Sequence, residues 1–211
     1  MRIIGSEEDI AEGLAALVAA DPRLAIVAEA RRHPPLRRAE GGLRALLRIV
    51  MDQQISLAAG AAIWGRLEAR YPSFEAKALA EAAEEDLRAC GLSGAKIRTL
   101  LALSRAVADG ALDFDALAAL PDAEAAAALV ALPGIGPWTA DIYLLTCLGR
   151  SDAWPRGDLA LQEAARLALG LPARPTHRQM EALAEPWRPW RAVAARLLWS
   201  HYRLVKGMPP A

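Results

Sequence analysis

The sequence predicts an all-α protein, and three observations carry this prediction. Alanine and leucine are abundant across the 211 residues, whereas runs of β-branched residues are scarce. Apolar residues recur at helical spacing along most of the chain, and nowhere do they alternate with a period of two over a useful length. Residues that cap or end helices stand at the borders of these apolar stretches. The length is sufficient for a buried core in one large domain or two small lobes.

Apolar spacing in the first 131 residues predicts a series of helices joined by short turns. Ser56 and Ser93 each precede an apolar run, and each can accept a hydrogen bond from the first turn of a helix. Gly110 follows such a run and can end a helix. The predicted helices cover about residues 7–20, 43–54, 56–71, 93–110, 113–120 and 122–131, with short helices over 75–90.

Four further helices are predicted in the remainder of the chain. Asp158 can cap the second of them, and Thr176 and Gln179 have the spacing of a capping box at the start of the third. Pro189 is expected in the first turn of the last helix. These helices cover about residues 137–148, 159–169, a segment from 177 onward, and 189–205.

The most informative segment is Leu-Pro-Gly-Ile-Gly-Pro-Trp-Thr-Ala at residues 132–140, between two predicted helices. Its glycines permit a tight turn with positive φ, and Pro137 suits the first turn of a helix. The first amides of a helix have no partner within it and lie at the positive end of its dipole, so they can bind an anion. The segment therefore predicts a helical hairpin whose second helix can hold a phosphate of a nucleic-acid backbone at its start.

This segment resembles the helix-hairpin-helix element of DNA-repair glycosylases. Blocks from about Leu47 to Tyr202 are similar to the alkylation-repair branch, the 3-methyladenine DNA glycosylase II type. The resemblance implies two helical lobes with a cleft between them and the hairpin at the cleft mouth. One lobe would cover about residues 45–150, and the other the N-terminal segment plus about 151–211. Phosphate-binding roles follow for Gly134, Gly136, Thr139 and Ala140.

The same resemblance identifies a catalytic carboxylate. The family places an aspartate after the hairpin helix, at the start of the next helix, and Pro-Arg-Gly-Asp at residues 155–158 is similar to that context, although Pro155 stands one residue early. From the residues alone, a helix cap is the favoured interpretation of Asp158, and one carboxylate can fill both roles. A fixed negative charge stabilises the oxocarbenium-like sugar that forms as a base–sugar bond breaks, and it can orient the attacking water.

The expected reaction is hydrolysis without strand cleavage. Bifunctional relatives have a nucleophilic lysine two residues after the second hairpin glycine, where this chain has Trp138. No lysine lies between Lys96 and Lys206, so a Schiff-base step has no obvious nucleophile. Water is therefore the expected nucleophile, and an abasic site is the expected product.

Four residues are predicted to line a pocket for the damaged base. Trp138 and Trp199 match family positions in that pocket, and an indole face attracts the positive charge of an N-alkylated purine. Ile142 stands where the family often has a tyrosine, and Gln53 is placed near the pocket. The base must leave the duplex to be reached.

Three further sites follow from the resemblance. Gln54, in the block Met-Asp-Gln-Gln-Ile-Ser, matches the side chain that fills the gap left by the extruded nucleotide; an exposed turn glutamine is the alternative. Lys96 matches a phosphate-contacting residue, with a solvated surface lysine as the alternative. The family hairpin often holds Na⁺ or K⁺ through carbonyls, which here are those of Val130, Leu132 and Ile135.

Composition narrows the classes of site and partner. Cys90 and Cys147 are too few for an iron–sulfur cluster or a cysteine-rich metal site, and both are expected to be reduced, buried thiols. No cofactor is expected to be required. No uncharged apolar stretch of about 18 residues is present, so no membrane span is expected. The net charge is zero, yet residues 131–211 contain ten basic and six acidic residues, which places a basic excess in the half that contains the hairpin.

The expected protein is a monomer that acts on damaged double-stranded DNA in a bacterial cytoplasm, in association with the nucleoid. Two rival functions stay open at this point. A non-catalytic protein would use the hairpin only for phosphate contact, with binding that weakens steeply as salt rises. The second is a glycosylase for oxidised or mispaired bases. The absence of the lysine and of a cysteine cluster argues against those members of this class that require them.

Overall fold

The computed structural model describes residues 2–30 and 34–208, apart from the side chains of Ala30 and Leu57. Within these residues the protein has thirteen α-helices, two short 3-10 helices and one isolated β-bridge between Ile3 and Arg150. The predicted all-α class is therefore confirmed. None of the described helices is both long and apolar enough to cross a membrane. Both cysteines are free and buried, as expected.

Most helices begin and end within about two residues of the predicted bounds. Helix α2 is the exception, because the sequence predicts no helix for its segment. The helices are α1 (Glu7–Ala20), α2 (Ala25–Ala30), α3 (Leu43–Asp52), α4 (Leu57–Arg70), α5 (Ala76–Ala80), α6 (Glu84–Ala89), α7 (Gly94–Ala108), α8 (Phe114–Ala119), α9 (Asp122–Val130), α10 (Pro137–Thr146), α11 (Leu159–Ala168), α12 (His177–Ala184) and α13 (Arg191–Val205).

Capping side chains stand where the sequence predicts them. Ser56 accepts a hydrogen bond from the third residue of α4, and Ser93 does the same for α7. Thr176 and Gln179 form the predicted reciprocal capping box at the start of α12. Each of these side chains satisfies an amide that the helix itself leaves without a partner.

The start of the last helix was predicted wrongly. Pro189 lies before α13, after a cis peptide bond with Arg188, and Trp190 occupies the N-cap position. A short 3-10 helix over Glu185–Trp187 precedes this segment. A proline in the loop before a helix and a proline in its first turn stand at similar positions relative to the apolar pattern. Spacing alone could therefore not distinguish the two.

The chain forms two compact units. The first comprises Met1–Arg38 and Leu144–Ala211, and the second comprises Ala39–Tyr143. The boundaries therefore lie just after Arg38 and within α10, whereas the sequence predicted about 45 and 150. In the first unit α1, α2 and α11 pack against α13, and in the second α3, α5 and α6 pack against α7.

Each unit has its own apolar core. Buried side chains of the first unit include Ile10, Leu17, Leu24, Leu161, Leu197 and Leu198. Those of the second include Leu46, Leu47, Leu67, Ile97, Leu100 and Leu103. On α7, Ile97, Leu100 and Leu103 recur at the three-residue spacing that places side chains on one face of a helix.

Candidate functional site

The segment between α9 and α10 forms the predicted tight hairpin. Gly134 has φ of 80°, a left-handed conformation that is unfavourable for residues with a Cβ. The Ile135 amide donates to the carbonyl of Leu132 at 3.2 Å, and the Ile135 side chain is buried. A Cβ at Gly134 would lie 2.8 Å from Thr99 Cγ2 and 2.9 Å from Thr99 Cβ. Glycine at this position is therefore required both by backbone conformation and by close packing against α7.

The start of α10 offers fewer groups to an anion than the sequence predicted. The Ala140 amide donates to the Gly136 carbonyl at 3.1 Å, so it is not available to a phosphate. The Thr139 side chain is buried, and its hydroxyl accepts a hydrogen bond. The predicted phosphate contact of the Ala140 amide is corrected accordingly, whereas that of the Thr139 amide stays a prediction. No atom outside Gly136 and its two chain neighbours lies within 4 Å of the position a Cβ would take at Gly136, which leaves room for a ligand to approach the backbone.

Helix α10 presents a narrow apolar stripe at its start. Trp138 and Ile142, four residues apart, are half-buried, whereas the intervening Thr139 and Ala140 are buried. Residues at this spacing lie on one face of a helix. Two of the four predicted pocket residues are therefore neighbours on the part of α10 that belongs to the second unit.

Asp158 combines a structural contact with a contact to a predicted pocket residue. It is the N-cap of α11, and its Oδ1 accepts a hydrogen bond from the Leu161 amide at 2.8 Å. The Trp199 indole N–H, from α13, donates to the same oxygen at 3.4 Å. Two N–H groups and the positive end of the α11 dipole thus face this carboxylate, an environment that stabilises negative charge.

A small, largely enclosed pocket lies beside Trp199 in the first unit. Its volume is about 80 Å³, and an indole forms part of its wall. The residues around it come from the N-terminal segment, the end of α10 and α13; they are Pro35, Arg37, Leu145, Thr146, Arg196, Trp199 and Ser200. Of these only Trp199 was predicted, because the others are brought together by tertiary packing that no local pattern records.

A buried arginine fixes the helix that carries Trp199. Arg196 is 3% exposed. Its guanidinium donates to the carbonyls of Leu36 at 2.9 Å, Ala192 at 3.1 Å and Leu145 at 3.0 Å. Three backbone segments are therefore tied together one turn before Trp199. An arginine among apolar residues of a predicted buried helix is the sequence signal that could have identified this contact.

Replacing Arg196 with methionine is expected to lower the free energy of unfolding by about 3 kcal/mol, because buried carbonyl oxygens lose their charged donor. Burial lowers the pKa of Arg196 to about 10, so the guanidinium remains protonated at neutral pH. The loss of stability on its removal is therefore expected to be independent of pH near neutrality. Urea denaturation at pH 7 measures the change. Arg178→Met, at an exposed site of the same unit, is the control; equal stability of the two variants would contradict the prediction.

The turn after α3 is held by two side chains. Gln53 Nε2 donates to Thr139 Oγ1 at 2.6 Å. Lys96 Nζ donates to the carbonyls of Met51 at 2.6 Å and Gln53 at 3.1 Å. Gln54, which follows, is exposed and has φ of 57°. The predicted wedge residue therefore stands on an ordered turn, and Lys96 directs two of its three donors to main-chain carbonyls.

The cation ligands predicted at the hairpin are backbone oxygens. The described residues contain no group of three or more histidine, cysteine, aspartate or glutamate side chains that could hold a metal ion. The Leu132 carbonyl accepts the Ile135 amide, and a carbonyl oxygen has a second lone pair to offer. The oxygen ligands named from the sequence therefore fit a hard monovalent cation in type.

Comparison with known families decides where the chain belongs. A family model described as "HhH-GPD superfamily base excision DNA repair protein" matches residues 47–189. The chain belongs to the HhH-GPD superfamily. The match includes the hairpin, Asp158 and the turn at Gln53 and Gln54, and it ends before Trp199.

Named relatives of this HhH-GPD chain are repair proteins. It is 34% identical over 204 residues to the "Probable bifunctional transcriptional activator/DNA repair enzyme AlkA" of Mycobacterium tuberculosis, covering 90% of this chain and 39% of that protein. It is 30% identical over 171 residues to "DNA-3-methyladenine glycosylase 1" of Schizosaccharomyces pombe, covering 78% of this chain and 74% of the relative. The chain thus spans about two fifths of the mycobacterial relative.

Solved structures with the same HhH-GPD fold include two with 26–27% sequence identity. A 3-methyladenine DNA glycosylase of Schizosaccharomyces pombe in complex with abasic DNA superposes with a TM-score of 0.84, 26% identity and coverage of 90% of this chain and 95% of that one. A DNA-3-methyladenine glycosidase of Bacillus halodurans gives 0.82, 27% identity and coverage of 98% and 95%.

Proposed function

We propose that the protein is a monofunctional DNA glycosylase that hydrolyses the N-glycosidic bond of alkylated purines of the 3-methyladenine type. The pair formed by Asp158 and Trp199 carries this proposal. It joins a carboxylate at a helix start to the edge of an indole, within a superfamily whose named relatives include DNA-3-methyladenine glycosylases. The expected product is an abasic site in double-stranded DNA.

The chemistry assigned to Asp158 is electrostatic stabilisation and orientation of water. As the base leaves, positive charge develops on the sugar, and a fixed carboxylate lowers the energy of that state. The same group can accept a proton from the attacking water. Because no lysine occurs between Lys96 and Lys206, the chain offers no evident amine for a covalent lyase step.

Recognition of the base is assigned to apolar and aromatic surfaces. The Trp199 indole binds Asp158 through its N–H edge, so this hydrogen bond occupies neither ring face. An electron-rich indole face attracts a cationic purine more strongly than a neutral one. Trp138 and Ile142 supply the stripe at the start of α10 for the same purpose. Their convergence with Trp199 stays a prediction, because the tryptophans belong to different units.

The hairpin is assigned to the DNA backbone and Gln54 to the gap left by the extruded nucleotide. Gly136 leaves space for a phosphate to approach, and a helix start supplies donors and a favourable dipole. We also infer that the carbonyls of Val130, Leu132 and Ile135 can hold Na⁺ or K⁺ at this turn. The protein is proposed to act as a monomer on nucleoid DNA in a bacterial cytoplasm.

Base release from methylated duplex DNA tests this function. The protein is expected to liberate 3-methyladenine and to leave sites that break only after alkali treatment, because no lyase step is expected. DNA binding with a steep salt dependence but no base release would favour the non-catalytic alternative. Release only from duplexes with oxidised or mispaired bases would favour the other glycosylase class.

A further inference from the structure

We propose that Lys96 is a positioning residue for base extrusion, whose ammonium group holds the turn at Gln53 and Gln54 in the conformation that presents Gln54. This inference rests on the proposed function and deepens it. It replaces the phosphate contact that the sequence predicted for Lys96 with a contact inside the protein.

The contacts of the Lys96 ammonium carry the first step. Nζ lies 2.6 Å from the carbonyl oxygen of Met51 and 3.1 Å from that of Gln53. The last carbonyls of a helix have no partner within it and lie at the negative end of its dipole, which favours a cation. Lys96 therefore caps the end of α3 from α7, a neighbouring helix, and fixes the residue that immediately precedes Gln54.

The backbone of Gln54 supplies the second step. Its φ of 57° lies in the left-handed region, which is unfavourable for a residue with a side chain and persists only where the surroundings hold it. Here Gln53 is held on both sides: its carbonyl by Lys96, and its side-chain amide by Thr139 Oγ1 at 2.6 Å. Without the ammonium, one of these two restraints is lost and Gln54 can return to a commoner backbone conformation.

Burial of Lys96 supplies the third step. The side chain is half-buried, and burial lowers the pKa of Lys96 from its ordinary value, with Asp52 acting in the opposite direction. A phosphate-contacting lysine presents its ammonium to solvent, whereas this one is withdrawn toward the main chain. Lys77, in contrast, is exposed on α5 of the same unit. Its replacement removes one positive charge, as the replacement of Lys96 does, and therefore serves as a control.

The experiment compares Lys96→Met, Lys96→Arg and the matched control Lys77→Met in the full chain. Hydrogen–deuterium exchange without DNA reports the order of residues 50–57. Fluorescence of 2-aminopurine placed beside a lesion reports base extrusion, independently of hydrolysis. The slope of log K against log salt reports phosphate contacts, because one lost contact reduces its magnitude by about 0.9.

The expected result is specific to Lys96→Met. Exchange in the turn rises and the extrusion signal falls by roughly 10-fold, the range for a lost charge-assisted hydrogen bond, whereas the salt slope is unchanged relative to Lys77→Met. Lys96→Arg, whose guanidinium can also donate to two carbonyls, restores most of the signal. A smaller salt slope with unchanged hydrogen exchange would overturn the proposal and favour a phosphate contact. Unchanged exchange together with an unchanged extrusion signal would also overturn it. Failure of the wild-type protein to release any base would count against the proposed function alone.

Discussion

Replacement of Asp158 by asparagine is expected to lower single-turnover release of 3-methyladenine by at least about 100-fold, the scale of losing one preorganised charge at a developing ion. Asparagine has the same size and shape but carries no charge and cannot accept a proton from water. Release of the free base from methylated duplex DNA, with enzyme in excess, measures the chemical step. Equal rates for the two proteins would remove Asp158 from the catalytic role.

The same substitution is expected to leave the fold intact. Asn and Asp are about equally good at the N-cap position, so the carbonyl oxygen of the new side chain can still accept the Leu161 amide that now lies 2.8 Å from Oδ1. The Trp199 indole N–H can donate to that same oxygen. Unfolding in urea should therefore change by less than about 1 kcal/mol, and the loss of rate reports on charge.

A matched control separates capping from catalysis. Asp113 is the N-cap of α8, and its Oδ1 accepts from the amides of Asp115 and Ala116. Asp113→Asn makes the identical chemical change at a helix start in the second unit. The rate of base release is expected to be unchanged in this variant. A comparable loss of rate in both variants would show that the effect of Asp158→Asn comes from general perturbation of the protein.

The sequence predicted those parts of the molecule that are determined locally. Capping residues, apolar spacing and the two glycines of the hairpin act on their own neighbours, so helix bounds and the N-cap role of Asp158 could be deduced from them. The family match over residues 47–189 confirms the resemblance that was inferred from the hairpin sequence. The roles of Trp138, Trp199, Gln54 and the cation ligands stay predictions.

Contacts that join distant segments could not be deduced in this way. The ties that Arg196 makes to Leu36 and Leu145 span 160 and 51 residues, and nothing in the local pattern specifies the partner. Lys96 is similar, since its carbonyl acceptors lie 43 and 45 residues earlier. A basic side chain in a sequence indicates solvent or an anion as partner more readily than a main-chain oxygen, which is why these two carbonyl acceptors were not predicted.

Gly134→Ala is expected to lower the free energy of unfolding by about 3 kcal/mol, through backbone strain and overpacking acting together. The backbone at Gly134 has φ of 80°, and the new Cβ would meet the Thr99 side chain, with Cγ2 at 2.8 Å and Cβ at 2.9 Å. Because Thr99 is buried on α7, it cannot turn outward into solvent to make room. Urea denaturation measures the effect, and binding to duplex DNA should weaken in parallel because the hairpin is displaced.

Gly136→Ala separates the two roles that glycines have in this hairpin. No atom outside Gly136 and its two chain neighbours lies within 4 Å of the position of its Cβ, so stability should change by less than about 1 kcal/mol. The methyl group would occupy the space through which a phosphate is proposed to approach, so binding to duplex DNA is expected to weaken. A second variant separates the two causes of the destabilisation at Gly134. Thr99→Ala removes Oγ1 and Cγ2, the atoms that a Cβ at Gly134 would meet. The double variant should therefore lose less free energy of unfolding than the sum of the two single variants, by roughly 1 kcal/mol. Strict additivity would mean that backbone strain at Gly134 accounts for the whole effect. Equal destabilisation by alanine at both glycines would contradict the distinction between a packed turn and an open approach.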